Sequence, residues 1–99
     1  MRQYIYAYYN RLAGFYGKPF FDNVKPDEFV PGFNQGLFAA PNEVLESLKE
    51  VDLYYLGSFD NVEGTIESKN DFLQHLSEVI TGIQSKKNVG ANEDVRKEN

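Results

Sequence analysis

Residues 53–67 read LYYLGSFDNVEGTIE, and this stretch decides the fold. Its first half is rich in aromatic and apolar residues, which favours a strand from Leu53 to Phe59. Residues 60–64 supply turn chemistry, with Gly64 suited to a positive φ. We expect Thr65–Glu67 to form a short return strand. The stretch therefore predicts a β-hairpin.

A further strand is predicted near the N-terminus. Residues 2–9 are rich in Tyr and Ile and contain neither Gly nor Pro, which is typical of a strand. Residues 15–21 include Gly17 and Pro19, so we expect an irregular segment or an edge strand there.

Two helices are predicted around the hairpin. Asn42 is a good N-cap for a helix over residues 42–51. The strongest helical pattern covers residues 68–82, where Ser68 and Asp71 resemble a capping box and Gly82 suits the end of the helix. One buried face of this second helix would carry its apolar side chains, namely Phe72, Leu73, Leu76, Val79, Ile80 and Ile83.

Residues 22–41 leave two alternatives open. The spacing of Phe29, Phe33 and Leu37 is helical. Pro31 and the neighbouring glycines oppose a helix, so the alternative is a loop held by buried aromatic side chains. With either outcome, we predict an α+β fold in which a small antiparallel sheet has helices packed on one face. Residues 1–83 would form this single domain, and residues 84–99 are polar enough to predict a disordered tail.

Composition limits the function classes. The 99 residues include 15 Asp and Glu against 10 Lys and Arg, for a net charge of −5, and there is no Cys. An acidic chain disfavours strong binding to DNA or RNA, and the lack of Cys excludes disulfides and thiolate chemistry. No apolar stretch is long enough for a membrane span, and residues 1–4 show no secretion signal. We therefore expect a cytoplasmic protein with no membrane partner.

No catalytic site, metal site or cofactor is predicted, so we do not expect an enzyme. The single histidine, His75, has no second His for a metal site and no evident catalytic partner. The acidic residues are expected to lie on a solvated helix face or in the hairpin turn. They are Glu43, Glu46 and Glu50 for the helix, and Asp60 and Glu63 for the turn.

The unusual feature is that both faces of the predicted strands are apolar or aromatic. Large exposed apolar patches mark binding sites, so we predict a homo-oligomer, most simply a dimer, with the sheet at or near the interface. The candidate interface residues are Tyr4, Tyr6, Tyr8, Tyr54 and Leu56. Two alternatives stay open: aromatic residues 15–33 fold over that face within one chain, or the tyrosines stack on single-stranded DNA.

Several segments resemble the small nonstructural proteins of gokushoviruses, which are single-stranded DNA phages of the microvirus group. The resemblance covers roughly residues 1–67. The chain departs from the family at Pro31, where a basic residue is common. The matching segments, in chain order, are Ile5-Tyr6-Ala7, Ala13-Gly14-Phe15, Pro19-Phe20-Phe21, Phe29-Val30 with Phe33, Asp52–Asp60 and Gly64–Glu67.

The resemblance implies a function that the residues alone do not. It implies a nonenzymatic phage accessory protein in the bacterial host cell, absent from the mature capsid and involved in control of single-stranded DNA synthesis or packaging. It carries over no catalytic residues. Partners would be a second copy of the chain and other phage proteins, with single-stranded DNA disfavoured by the acidic charge.

Overall fold

The computed structural model describes the backbone of residues 2–98 and the side chains of residues 2–87. Within that range, the elements are β1 (Arg2–Asn10), β2 (Phe15–Tyr16), β3 (Phe20–Asp22), α1 (Pro26–Phe38), α2 (Asn42–Ser47), β4 (Val51–Asp60), β5 (Thr65–His75) and α3 (Leu76–Glu98). The predicted α+β class is confirmed: the helices pack against a curled antiparallel sheet.

The sheet is built around the pairing of β1 with β4. These two strands run antiparallel over their whole length, from Arg2 opposite Asp60 to Asn10 opposite Val51. On the other edge of β1 lie β2 and β3, and β5 pairs with the other edge of β4. The irregular segment predicted at residues 15–21 therefore contains two short strands, both of which pair with β1.

The two hairpin turns are built alike. Asn10 and Asp60 each accept hydrogen bonds, through Oδ1, from the backbone N–H groups two and three residues further on, at 2.9–3.2 Å. Each turn ends in a glycine with positive φ, 78° at Gly14 and 68° at Gly64, a conformation that costs glycine little. The turn predicted at residues 60–64 is confirmed.

Residues 22–41 adopt the helical alternative. Phe29, Phe33 and Leu37 lie on the face of α1 that joins the core, while Pro31 is exposed. Pro31 lacks the N–H that would bond to the residue four positions earlier, which weakens the helix locally. Burial of the three apolar side chains against the sheet outweighs that loss.

The predicted helix over residues 68–82 is wrong in its first half. Residues 68–75 continue β5 instead, so Ser68 and Asp71 form no capping box, and the helix begins at Leu76. The reason is tertiary, because the ten-residue β4 offers pairing partners as far as His75, which lies opposite Asp52. Leu76, Ile80 and Ile83 do form the predicted buried face. Gly82 lies inside α3 rather than at its end.

The helix predicted over residues 42–51 is shorter than expected. It ends at Ser47, and Val51 is the first residue of β4. Asn42 is the first helical residue rather than the cap, a position taken by Pro41 without a side-chain hydrogen bond. Only part of the predicted apolar stripe is core, because Leu45 is buried while Val44 is exposed.

The C-terminal region begins as part of α3. Gln84 donates hydrogen bonds to Asn42 and Glu46 of α2, at 2.9 and 3.2 Å, and the ammonium of Lys87 lies 5.7 Å from the ring centre of Phe38. The side chains of residues 88–99 lie outside the described residues. The predicted division into a domain of residues 1–83 and a disordered tail of residues 84–99 stays a prediction.

Gly57 is required by the sheet itself. Its φ of 140° is in the region that side chains rarely adopt, and a Cβ there would overlap the backbone carbonyl of Glu67 in β5. The register of β4 shifts beside it, with Leu56 skipped in the pairing to both β1 and β5. Any larger residue at position 57 would force β4 and β5 apart.

We predict that Leu76→Ala lowers the free energy of unfolding by about 2–5 kcal/mol, because Leu76 is fully buried at the start of α3. The control is Leu12→Ala, because Leu12 is 79% exposed in the first hairpin turn and should change stability by less than about 0.5 kcal/mol. Urea denaturation measures both. Equal midpoints for the two variants would contradict the placement of α3 in the core.

Candidate functional site

The two faces of the sheet differ in what covers them. Side chains directly opposite each other in an antiparallel pair project to the same face. One face, here called the helix face, carries Tyr4, Tyr6, Tyr8, Leu53 and Tyr55, which all belong to or pack against the core cluster that the helices join. The opposite face, here called the outer face, carries residues that are not part of that cluster, among them Gln3, Ile5, Tyr9, Tyr54 and Phe59.

Tyr6 lies at the centre of the helix face. It is fully buried, its ring stacks on Phe29 of α1 with centroids 4.0 Å apart, and its hydroxyl donates a 2.5 Å hydrogen bond to the backbone carbonyl of Val24. Burial is the main cause that raises the pKa of the Tyr6 hydroxyl above its usual value, and the nearby carboxylate of Asp22 adds to the shift. Burial also raises the pKa of Tyr8.

The predicted interface residues are therefore split between the two faces. Tyr4, Tyr6 and Tyr8 lie on the helix face, where the rings of Phe20, Phe29 and Phe33 pack on Tyr6 and Tyr8. This matches the alternative in which the middle aromatics fold over that face within one chain, except that Phe15 is 61% exposed. The free face is the one that carries Tyr9 and Tyr54. Sequence alternation separates these two sets of residues but does not say which set the helices cover.

Tyr54 sits in a row of aromatic rings on the outer face. Its ring contacts those of Tyr9, Tyr16 and Phe72 edge-on, with centroids 6.1, 5.3 and 5.8 Å apart. Leu56, the other predicted interface residue of β4, is half-buried at the register shift. Of the predicted set, Tyr54 is the residue that the strand pairing places on the outer face, where it is half-buried.

The opposite end of the outer face is apolar and exposed. Phe21 of β3 and Ile66 of β5 are 54% and 65% exposed, and with Gln3 and Phe59 they line a shallow groove. Sequence reasoning missed both residues, and it assigned Phe72, which is 47% exposed, to the core of a helix. The alternation of Ile66 with the polar residues on either side of it was the signal that could have found it.

A polar cluster closes the aromatic end of the outer face. The carboxylate of Asp52 is only 6% exposed, and its Oδ1 lies 2.8 Å from Nδ1 of His75 and 3.2 Å from Nε of Arg11. Arg11 also donates a 2.8 Å hydrogen bond to the carbonyl of Lys49. The cluster ties the first hairpin turn to the start of β4 and to the end of β5. It is a structural clamp, because one buried carboxylate holds both the guanidinium of Arg11 and the ring of His75.

The other acidic residues serve turns and surface pairs. Hydrogen bonds from the backbone N–H groups of Val62 and Glu63 lower the pKa of Asp60, as expected for a turn residue. Hydrogen bonds from Lys49 and Gln84 lower the pKa of Glu46 on the exposed side of α2.

No group of three or more His, Asp or Glu side chains that could hold a metal ion occurs among the described residues. Within the same part of the chain, no helix is long and apolar enough to cross a membrane.

We predict that the free energy of unfolding falls as the pH rises above about 10. The pKa values of Tyr6 and Tyr8 are raised in the folded protein, so the unfolded chain, with a tyrosine pKa of about 10, releases these protons first. The stabilisation is thus complete below the unfolded pKa and is lost above it. Tyr6→Phe should flatten this decline in urea denaturation between pH 8 and pH 11. An unchanged slope would contradict the burial of a protonated Tyr6.

We predict that Asp52→Asn destabilises the fold by about 1–3 kcal/mol, because it removes the charge that holds both Arg11 and His75. Glu43→Gln is the matched control, since Glu43 lies exposed in α2 and should change stability by less than about 0.5 kcal/mol. Thermal and urea denaturation measure both variants. Equal stability of the two would show that the Asp52 cluster is not a clamp.

Comparison with known proteins gives no match to a family model, to a curated protein or to a solved structure. Among the described residues, the outer face of the sheet combines exposed apolar side chains with a row of aromatic rings, and it is the candidate site.

Proposed function

We propose that this protein is a nonenzymatic accessory protein that acts through protein–protein contact, and that it self-associates through the outer face of its sheet. The observation that carries the proposal is the exposure of Phe21, Ile66 and Phe72 on a face that takes no part in the core cluster. Exposed apolar patches of this kind are typical of interaction sites.

The lack of charge on this face supports a second copy as the occupant. Among the side chains of residues 2–87, the strand pairing places no Asp, Glu, Lys or Arg on the outer face between Gln3 and Phe72, and the charged Asp52 cluster lies at its end. Two chains with a net charge of −5 repel each other, so the contact with the least repulsion uses an uncharged surface. A twofold axis would bring identical faces together.

The aromatic composition of the face also suits a protein contact. Tyrosine is enriched in interfaces because its ring packs while its hydroxyl can stay hydrated. Tyr9, Tyr16 and Tyr54 form such a cluster, and the hydroxyl of Tyr16 accepts a hydrogen bond from Asn70 at 3.2 Å. The rings are therefore held in place before any partner binds, which lowers the entropy cost of association.

The resemblance to gokushovirus nonstructural proteins supplies the biological setting of this proposal. Residues 52–60 and 64–67, which carry most of it, form β4, the end of the hairpin turn and the start of β5. They are strand and turn residues, so they support a shared architecture more than a shared activity. In this setting, the protein acts in the cytoplasm of an infected bacterium, in control of viral single-stranded DNA synthesis or packaging, through contacts with its own copies and other phage proteins.

A second candidate function is binding of single-stranded DNA. The row of rings from Tyr9 to Phe72 on an open sheet face is the observation that favours it, because bases stack on such rings. The acidic net charge and the pairing of Arg11 with Asp52 oppose it. A salt-dependent shift in the anisotropy of a fluorescent oligonucleotide would favour this function over self-association.

We predict that the purified chain has a mass above the 11.4 kDa of one copy at micromolar concentration, and that the double variant Phe21→Ser with Ile66→Ser halves it. Both side chains lie on the outer face and are more than half exposed, so the fold should survive the change. Light scattering gives the mass, and circular dichroism checks the fold.

The matched control for this experiment is the double variant Leu12→Ser with Val62→Ser. These residues are 79% and 81% exposed and occupy equivalent positions in the two hairpin turns, away from the outer face. The control should keep the wild-type mass. A wild-type mass of one chain, or an equal loss of mass in both double variants, would refute self-association through the outer face.

A further inference from the structure

The free edge of β5 is a second unpartnered surface of the sheet. β5 has eleven residues and pairs with β4 along one edge. Within the described backbone, no strand pairs with its other edge. Residues 65–72 are all exposed, so the backbone N–H and C=O groups along this edge are available to another strand.

The charges on this edge form an alternating pattern around Ser68. Glu67 lies opposite Ser58 of β4, which places Glu67 on the helix face. Lys69 lies on the same side, with its Nζ 3.5 Å from Oε1 of Glu67. A negative and a positive side chain thus flank Ser68 on one face, and both are about half exposed.

We propose that the β5 edges of two copies pair antiparallel about a twofold axis at Ser68. In this register, Glu67 of each copy lies directly opposite Lys69 of the other, so the twofold produces two complementary pairs. Opposite charges at directly facing positions stabilise a strand pair, and like charges destabilise it. This contact is separate from the outer-face contact proposed above and extends the sheet instead of covering it.

The neighbouring registers are less favourable. An axis at Lys69 would place the two Lys69 side chains opposite each other and Glu67 opposite Asp71, which are both like-charge pairs. An axis at Asn70 would place Lys69 opposite Asp71, but it would also place Glu67 opposite the apolar Leu73. The axis at Ser68 instead places Asp71 opposite the polar Thr65, so that each charged residue of this edge faces a charged or polar one. The irregular stretch of β5, at Lys69 and Asn70, lies within the pairing in both registers and does not distinguish them.

The edge contact changes the size of the assembly. Its twofold axis is perpendicular to the sheet, whereas the twofold of the outer-face contact lies in the plane of the sheet. Two different twofold contacts on one chain generate a closed assembly of four copies when their axes intersect at right angles. With that arrangement, the two proposals together predict four chains, and each one alone predicts two.

Light scattering of charge variants tests the edge contact. Lys69→Glu should halve the mass of the wild-type assembly, because each copy would then place Glu67 opposite a glutamate. The charge-swapped variant Glu67→Lys with Lys69→Glu should restore the mass, because the complementary pairs return with opposite polarity. Lys18→Glu is the matched control, since it makes the same change of charge at an exposed position outside the sheet and should keep the wild-type mass.

The other outcomes separate the two proposals. A wild-type mass kept by Lys69→Glu, or not restored by the charge swap, would overturn the edge contact. Restoration by Lys69→Glu with Asp71→Lys instead would place the axis at Asn70 and overturn the register proposed here. If Lys69→Glu reduces the mass but Phe21→Ser with Ile66→Ser does not, the edge contact stands and the outer-face contact fails. Circular dichroism confirms that each variant keeps the fold.

Discussion

The antiparallel pairing of β1 with β4 is the interaction on which the rest of the structure depends. It joins the N-terminus to the middle of the chain, with Arg2 opposite Asp60, and every other strand attaches to one of these two. Because alternate side chains project to opposite faces, this one register decides which residues meet the helices and which face outward. Tyr6 opposite Tyr55 becomes core, and Ala7 opposite Tyr54 becomes part of the outer face.

Sequence reasoning predicted the parts of the fold that depend on local chemistry. The strand before Asp60 and the glycine turn after it follow from residue type, and the structure shows both. It failed at residues 68–75, where Phe72 and Leu73 happen to continue the helical spacing of Leu76 and Ile80. Local pattern cannot resolve that case, because the strand there is stabilised by the distant β4, whose backbone groups would otherwise lack partners.

The candidate site was harder to predict for a physical reason of the same kind. Both faces of β1 are aromatic or apolar, so alternation identifies two sets without ranking them. The position of α1 decides which face is buried, because Phe29 and Phe33 of this helix pack on Tyr6 and Tyr8. The sequence left that helix undecided because of Pro31. Because the sequence did not decide whether this helix forms, it also did not decide which face of the sheet is open.

The distribution of charge connects the open face to assembly. The chain is acidic overall, and acidic chains stay apart unless some surface lets them approach without repulsion. Among the described side chains, none at the centre of the outer face is charged. The β5 edge instead carries opposite charges two residues apart, on either side of Ser68. The two surfaces would limit the repulsion between acidic chains in different ways. The first supplies apolar area without specifying a register, whereas the second specifies a register through charge, and backbone hydrogen bonds supply its affinity. In the proposed assembly the two contacts are complementary, because the face alone would permit several docking angles and the edge alone would leave the apolar face exposed.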